Sequence, residues 1–392
     1  MAKMTVMAIP ALEKEKKDDD ESVLYEKGLK AVWDANLIKA VPNRFIFPSP
    51  QRPKLHHATN NGKTNGHFKL PVIHFDQLRG PNRPHVLRSL ADACQNYGFF
   101  QLVNHGIAED VISNMRDATR RFFDLPVTER EKYMSSDVSA PVRYGTSFNQ
   151  TKDGVFCWRD FLKLVCDPPA LPHWPSNSPL DFRKCAVKYA ENTKALFLKV
   201  AEAVVESLGA VQDGGDQEVV NDENMTFDEK DEEKIITQVK NGSQFMMLNY
   251  YPQCPNPDLT LGIPPHSDFD FLTLLLQDDV NGLQIHHRGD WVGVDVIPNA
   301  FVVNVGDLLE IFSNGKYKSV MHRAVVNSFK PRISVASFHS TPVETIVEPL
   351  PKLISSSNPR RYKGTNFLTF LEYIKTSDYK KKNFLESRKL FT

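Results

Sequence analysis

The stretch PPHSDFDFLTLLLQDDVNGLQIHHRGDW (264–291) decides the fold, because two apolar runs of strand length are separated by an Asp-Val-Asn-Gly turn and followed by an Arg-Gly-Asp turn. Outward from it the same grammar repeats: FMMLNYY before it, then DWVGVDV, AFVVNV, AVVN and RISVASF after it. Several short strands at close spacing, broken by Gly, Pro and Asn, predict an antiparallel barrel or jelly-roll sandwich rather than a parallel doubly wound sheet. The N-terminal half reads differently. PVIHFD (71–76) and FFQLVNHG (99–106) predict strands, and helices are expected over 85–98, 109–123 and 180–209, the last ended by Gly209. The whole is an α+β chain.

Four regions follow. Residues 1–68 form an N-terminal extension and linker, within which 29–42 predicts a short helix stopped by Pro42. Residues 69–240 are mainly helical and carry an acidic insertion at 212–234, with ten acidic residues against two lysines, which reads as solvated chain. The sheet-rich core spans 241–345, and 346–392 is a C-terminal segment.

Composition excludes several classes. The 392 residues are 41% apolar and 24% charged, the mixture of a folded globule, and 48 basic residues cancel 48 acidic ones, so no global field draws in nucleic acid or an anionic membrane. No run approaches a membrane span. Five cysteines without C-x-x-C spacing fit a reducing compartment and predict a cytoplasmic protein, expected to be a monomer.

The chemistry begins at His266 and Asp268. Two residues apart on extended backbone, they leave the same face and present one nitrogen and one oxygen to one ion. His322, in SVMHRAV, is the candidate third ligand, brought opposite the pair by a returning strand. Two imidazoles and a carboxylate on one side of an ion leave the other side open, which suits Fe(II), while zinc accepts the same ligands. The triad alone does not choose between them.

A second pair does. Arg332 and Ser334 in PRISVASF are again two apart, and an arginine aimed into a barrel requires a buried anion. A dicarboxylate supplies one, its far carboxylate on the guanidinium fork and the serine hydroxyl, its near end on the metal. Tyr251 in LNYYPQCP can donate to that carboxylate, and Asn249 points to the same face.

The run from NYYPQCPNPDLTLG through PPHSDFDFLTLLLQDDVNGLQI, DWVGVDVIPNAFVVNVGDLLEIFSNGKYKSVMHRAVVN and PRISVASF resembles the plant 2-oxoglutarate- and Fe(II)-dependent dioxygenases, the group containing flavonol synthase, anthocyanidin synthase and flavanone 3-hydroxylase. ACQNYGFFQLVNHGI, FFDLP and WRDFL extend the likeness, so it covers about residues 70 to 340. It implies a distorted double-stranded β-helix, or jelly roll, flanked by N-terminal helices. It also implies iron on His266, Asp268 and His322, and 2-oxoglutarate on Arg332, Ser334 and Tyr251 with Asn249 nearby. O₂ is the further cosubstrate, and ascorbate is expected to support activity.

The implied reaction couples decarboxylation of 2-oxoglutarate to succinate with C–H hydroxylation of a small specialised metabolite or hormone, aromatic or polycyclic. O-demethylation and desaturation are alternatives by the same chemistry; a zinc hydrolase and a non-enzymatic small-molecule sensor are the readings of other classes. Met247 stands where flavonoid-oxidising relatives often carry lysine, and Phe269, Asp270 and Phe271 replace the usual small residues, which weakens a flavonoid assignment. Phe148, Phe161, Phe269, Phe338 and Tyr144 are the expected pocket walls, with Arg143 as a polar orienting group and Asp270 as a solvated carboxylate.

Overall fold

The computed structural model describes residues 27–53, 68–147, 153–167, 169, 171–175, 181–210, 229–376 and 384–390. The strands are β1 (Val72–His74), β2 (Phe99–Val103), β3 (Val142–Gly145), β4 (Asp160–Asp167), β5 (Gln244–Tyr251) and β6 (Ile263–His266). They continue as β7 (Leu272–Gln277), β8 (Leu283–His287), β9 (Asp290–Gly293), β10 (Phe301–Val305), β11 (His322–Ala324) and β12 (Arg332–His339). Eight of them hydrogen-bond in the order β1-β2-β10-β7-β12-β5-β4-β3, and the other four in the order β6-β11-β8-β9. Every neighbouring pair is antiparallel except β1 with β2. The architecture is a mixed α+β jelly roll, a double-stranded β-helix flanked by helices.

Alternation along the large sheet sorts its side chains onto two faces. One face carries Phe100, Leu102, Phe301, Val303, Leu274, Leu276, Val335, Leu248 and Leu162, all buried against the helices. Helices Arg83–Asp92, Glu109–Phe123, Phe182–Ala210 and Glu229–Lys240 supply Leu90, Met115, Phe122, Phe197, Val200 and Val239 to that core. The other face looks toward the small sheet and carries Thr273, Gln277, Asn304, Arg332 and Ser334.

Four strands of the large sheet, β1 to β4, come from the region expected to be mainly helical, so residues 69–240 and 241–345 share one sheet. The helix at 83–92 loosens into a wider turn in which Gly98 N–H donates to Ala93 O at 2.9 Å. Gly98 then reverses the chain at φ +65°, where a Cβ would meet Lys318 O at 2.3 Å, so the turn requires glycine twice over. Gly209 does not end the long helix, which runs to Ala210. The helix expected over 29–42 is Leu29–Asp34 and stops well before Pro42, with Asn36 in the left-handed region.

Residues 29–47, expected to be extension and linker, are built into the fold. Leu29, Val32, Val41 and Phe45 pack with Trp158, Tyr251 and Cys254. Their anchor is Asp160: its Oδ1 accepts from Leu29 N at 2.8 Å and its Oδ2 from Lys30 N at 2.9 Å. The first part of the acidic insertion, 212–228, lies outside the described residues, and its last residues from Glu229 open a helix. Among the described residues no helix is long and apolar enough to cross a membrane.

Candidate metal and cosubstrate site

His266 closes β6 and His322 opens β11, and the two lie directly opposite in the register of the small sheet. Their rings are 4.1 Å apart between centroids. Each Nε2 is 3.6 Å from Asp268 Oδ1, and the three ligand atoms all fall within 4.8 Å of one another. The Nδ1 atoms face backbone carbonyls, of Pro264 at 2.9 Å and Val320 at 3.2 Å. A carbonyl only accepts, so Nδ1 carries the proton and Nε2 presents its lone pair to the centre of the triad.

Asp268 is held from behind. Its Oδ2 accepts from Thr273 Oγ1 at 2.6 Å and Asn304 Nδ2 at 2.8 Å, which turns Oδ1 toward the histidines. Burial alone would raise this carboxyl; His322, His266 and the two hydrogen bonds outweigh it and hold it below its ordinary range. Thr273 and Asn304 project from the inner face of the large sheet, as does Phe99, whose ring meets His322 edge-on at 5.4 Å. The triad therefore sits between the two sheets.

Asp270 is a correction. It is buried rather than solvated, with Oδ2 3.0 Å from Thr273 Oγ1 and accepting from His339 N. Burial first, and the charge of Asp268 second, push its carboxyl well above the ordinary range. The Thr273 hydroxyl therefore lies between the two carboxyl groups, nearer Asp268 than Asp270.

The second group lies on β5 and β12. Arg332 is opposite Tyr251, and Ser334 is opposite Asn249. Antiparallel partners share a face, so all four project inward. Arg332 is 3% exposed, with Nε donating to Val280 O at 3.1 Å and Nη2 to Gln277 Oε1 at 2.7 Å. Its Nη1 is buried and has no partner. Gly282 makes room for it: a Cβ there would lie 2.8 Å from Arg332 Cδ. Asn249 Nδ2 reaches Ser334 Oγ at 3.4 Å. A buried guanidinium with one unsatisfied corner beside a hydroxyl fits the carboxylate of a dianionic cosubstrate.

The expected pocket walls divide. Phe161 and Phe338 lie on the inner face, packed with Met247, Ala336 and Leu275, and Phe338 stacks on Phe245 at 4.5 Å. Tyr144 is on the opposite face, its hydroxyl donating to Asp160 Oδ2 at 2.7 Å and accepting from Arg130 Nη1 at 2.9 Å. Phe269 stacks on Phe370 at 4.3 Å and meets Phe384 and Phe367, an aromatic cluster with the C-terminal segment. Phe148 lies outside the described residues. Sequence reasoning passed over Thr273, Asn304 and Gln277, although each is a polar residue inside an apolar strand run. It also passed over Arg159 and Lys163, which flank Phe161.

Comparison with known proteins agrees with this geometry. Residues 242–341 match the model of the 2OG-Fe(II) oxygenase superfamily, and residues 70–183 match that of the non-haem dioxygenase in morphine synthesis N-terminal region. The chain is 37% identical over 342 residues to Protein DMR6-LIKE OXYGENASE 2 of Arabidopsis thaliana, covering 86% of this chain and 91% of that protein. It is 39% identical over 338 residues to flavanone 3-dioxygenase 2 of Oryza sativa subsp. japonica, covering 86% and 89%. A crystal structure of JOX2 in complex with 2OG, Fe and JA superposes with a TM-score of 0.75 at 30% identity, over 90% of this chain and 95% of that one.

Proposed function

The chain belongs to the 2OG-Fe(II) oxygenase superfamily, and on that premise we propose that it hydroxylates a C–H bond of a small aromatic or polycyclic plant metabolite at the site between its two sheets. It is an Fe(II)- and 2-oxoglutarate-dependent dioxygenase. In this reading His266, Asp268 and His322 hold the metal from one side, each histidine through the Nε2 that its carbonyl-bound Nδ1 leaves as acceptor. Arg332 and Ser334 take the far carboxylate of 2-oxoglutarate, with Tyr251 beneath the guanidinium and Asn249 beside the serine. The observation that carries it is the unsatisfied Nη1 of Arg332 on the same inner face that supports Asp268.

When bound, Fe(II) with 2-oxoglutarate and O₂ supplies an oxidation in which the keto acid becomes succinate and CO₂ and one oxygen atom passes to the substrate. The protein's own part is geometry and exclusion of water: Thr273 and Asn304 fix the carboxylate, and Phe161, Met247 and Phe338 give an apolar wall that sets which C–H lies near. O-demethylation is the second reading, favoured by 36% identity over 83% of the chain to thebaine 6-O-demethylase of Papaver somniferum. A cytosolic setting with ascorbate as supporting reductant belongs to the same proposal; five free cysteines, four of them buried, support the reducing compartment.

The test is anaerobic loading with Fe(II) and 2-oxoglutarate, then admission of O₂ with a metabolite panel. Succinate formation with a product heavier by one oxygen supports hydroxylation; formaldehyde release supports demethylation. Binding of both without succinate under any condition would leave a small-molecule sensor.

A further inference from the structure

The inner faces of β3 and β4 hold a second group of cations that the metal and cosubstrate anchors do not use. Arg143 lies opposite Lys163, and Phe161 lies opposite Asn249 on β5, so all four side chains point the same way. The guanidinium carbons of Arg143 and Arg159 each sit 5.2 Å from the Phe161 ring centre. Arg159 is 5% exposed; its Nη1 donates to Asn249 Oδ1 at 2.8 Å, and its buried Nε has no partner. Arg143 Nε donates to Ser135 O at 2.8 Å and Lys163 Nζ to Val138 O at 2.9 Å.

Two guanidiniums on one aromatic ring repel each other, and the Lys163 ammonium on the same inner face feels the charge of Arg143. Burial and then the neighbouring Arg143 bring the Lys163 ammonium down to about 8, and burial and then Arg159 lower Arg143. Asp153 and Asp137 are the carboxylates that act on Arg143; Asp137 is exposed and bonded to Ser139. An arrangement of this kind costs stability by itself and is relieved by an anion. Stacking on Phe161 leaves guanidinium edges to bind it.

The cluster also touches the cosubstrate anchor. Asn249 accepts from Arg159 and donates to Ser334, so one amide joins the two groups. Beside it runs the apolar wall of Phe161, Met247, Ala336 and Phe338. A ligand that satisfies both has an apolar, ring-sized body and a carboxylate.

We propose that Arg159, with Arg143 and Lys163 behind it, binds a carboxylate of the prime substrate, so that this dioxygenase acts on aromatic or polycyclic carboxylic acids rather than on neutral or cationic metabolites. The inference rests on the function proposed above. The 48 basic and 48 acidic residues cancel over the whole chain, so composition does not reveal this positive charge inside the barrel.

The experiment uses the full chain loaded anaerobically with Fe(II) and 2-oxoglutarate, titrated with 4-hydroxycinnamic acid, 1-naphthoic acid and their methyl esters while the visible band of the complex is followed. The acids are expected to perturb the band at concentrations about 10- to 100-fold lower than the esters, the range of one charge-assisted contact. Arg159→Gln is expected to erase that difference and Arg159→Lys to restore part of it, with the 2-oxoglutarate requirement unchanged. If Arg159→Gln does not fold, Lys163→Met carries the same comparison. Esters binding as well as acids, or Arg159→Gln moving only the 2-oxoglutarate requirement, would overturn the proposal. Absence of the band itself sinks the dioxygenase reading instead, so the two failures are distinguishable.

Discussion

Arg332 and Tyr251 face each other across β12 and β5, with the guanidinium carbon 5.0 Å from the phenol ring centre. That pairing fixes the plane of the fork while Gln277 and Val280 hold two of its nitrogens, leaving Nη1 as the contact for a ligand. Lysine cannot reproduce a planar fork held at three points. Arg332→Lys is expected to raise the 2-oxoglutarate KM about 10- to 100-fold while iron content stays stoichiometric. Steady-state kinetics against 2-oxoglutarate checks it, and an unchanged KM would remove Arg332 from the cosubstrate site.

Thr273 controls the metal through Asp268 rather than by touching it. Thr273→Val keeps the shape of the side chain and deletes the proton that Asp268 Oδ2 accepts. The freed carboxylate can rotate, and loss of such a supporting bond weakens metal affinity about 10-fold. Competitive chelation of Fe(II) measures the change; the thermal midpoint of the metal-free protein serves as control for folding. Equal affinity in the two proteins would assign the orientation of Asp268 to Asn304 alone.

Much of this site was legible because its residues follow strand parity. Arg332 and Ser334 are two apart on β12 and share its inner face, whereas His266 closes β6 and Asp268 follows beyond the strand end, yet its carboxylate still lies beside both imidazoles. Parity fails when the starting face is unknown. Arg143 and Tyr144 are neighbours on β3, and a one-residue difference decides that Arg143 faces the cavity and Tyr144 the helices. Strand β4 went unread because Asp160 is charged on the helix side and Lys163 on the inner side, so neither face looks apolar. Only distant partners, Leu29 and Lys30 for Asp160, explain those charges. Phe269 too has distant partners that its local sequence does not show, since Phe367, Phe370 and Phe384 pack on it from far along the chain.

His339 gives the fold a pH dependence of known sign. It lies buried on β12, stacked on Phe197 at 4.3 Å, and burial followed by the nearby Lys194 lowers it to about 3. The unfolded chain protonates this imidazole near 6.5 while the folded chain does not. Its contribution is therefore present above pH 6.5 and is lost as pH falls toward 3, at up to about 1.4 kcal/mol per pH unit. His339→Phe should flatten the denaturation midpoint between pH 7 and pH 5 relative to the parent. Parallel curves for the two proteins would show that His339 does not govern acid sensitivity there.

Asp160 is where the N-terminal segment is tied to the sheet. Its carboxylate accepts from Leu29 N, Lys30 N, the Tyr144 hydroxyl and the Thr146 hydroxyl, and lies 3.9 Å from Arg130 Nη1. Asp160→Ala leaves two backbone N–H groups and a buried guanidinium without that acceptor, a loss of about 3 kcal/mol. Asp160→Asn costs less because one oxygen remains. Because Leu29, Val32 and Phe45 cover Trp158 and Tyr251, release of this segment also loosens the wall behind Arg332. The alanine variant is expected to show faster proteolytic cutting within 27–53, a lower denaturation midpoint and a raised 2-oxoglutarate KM. Faster cutting with an unchanged midpoint would mean that the segment folds onto the sheet without stabilising it.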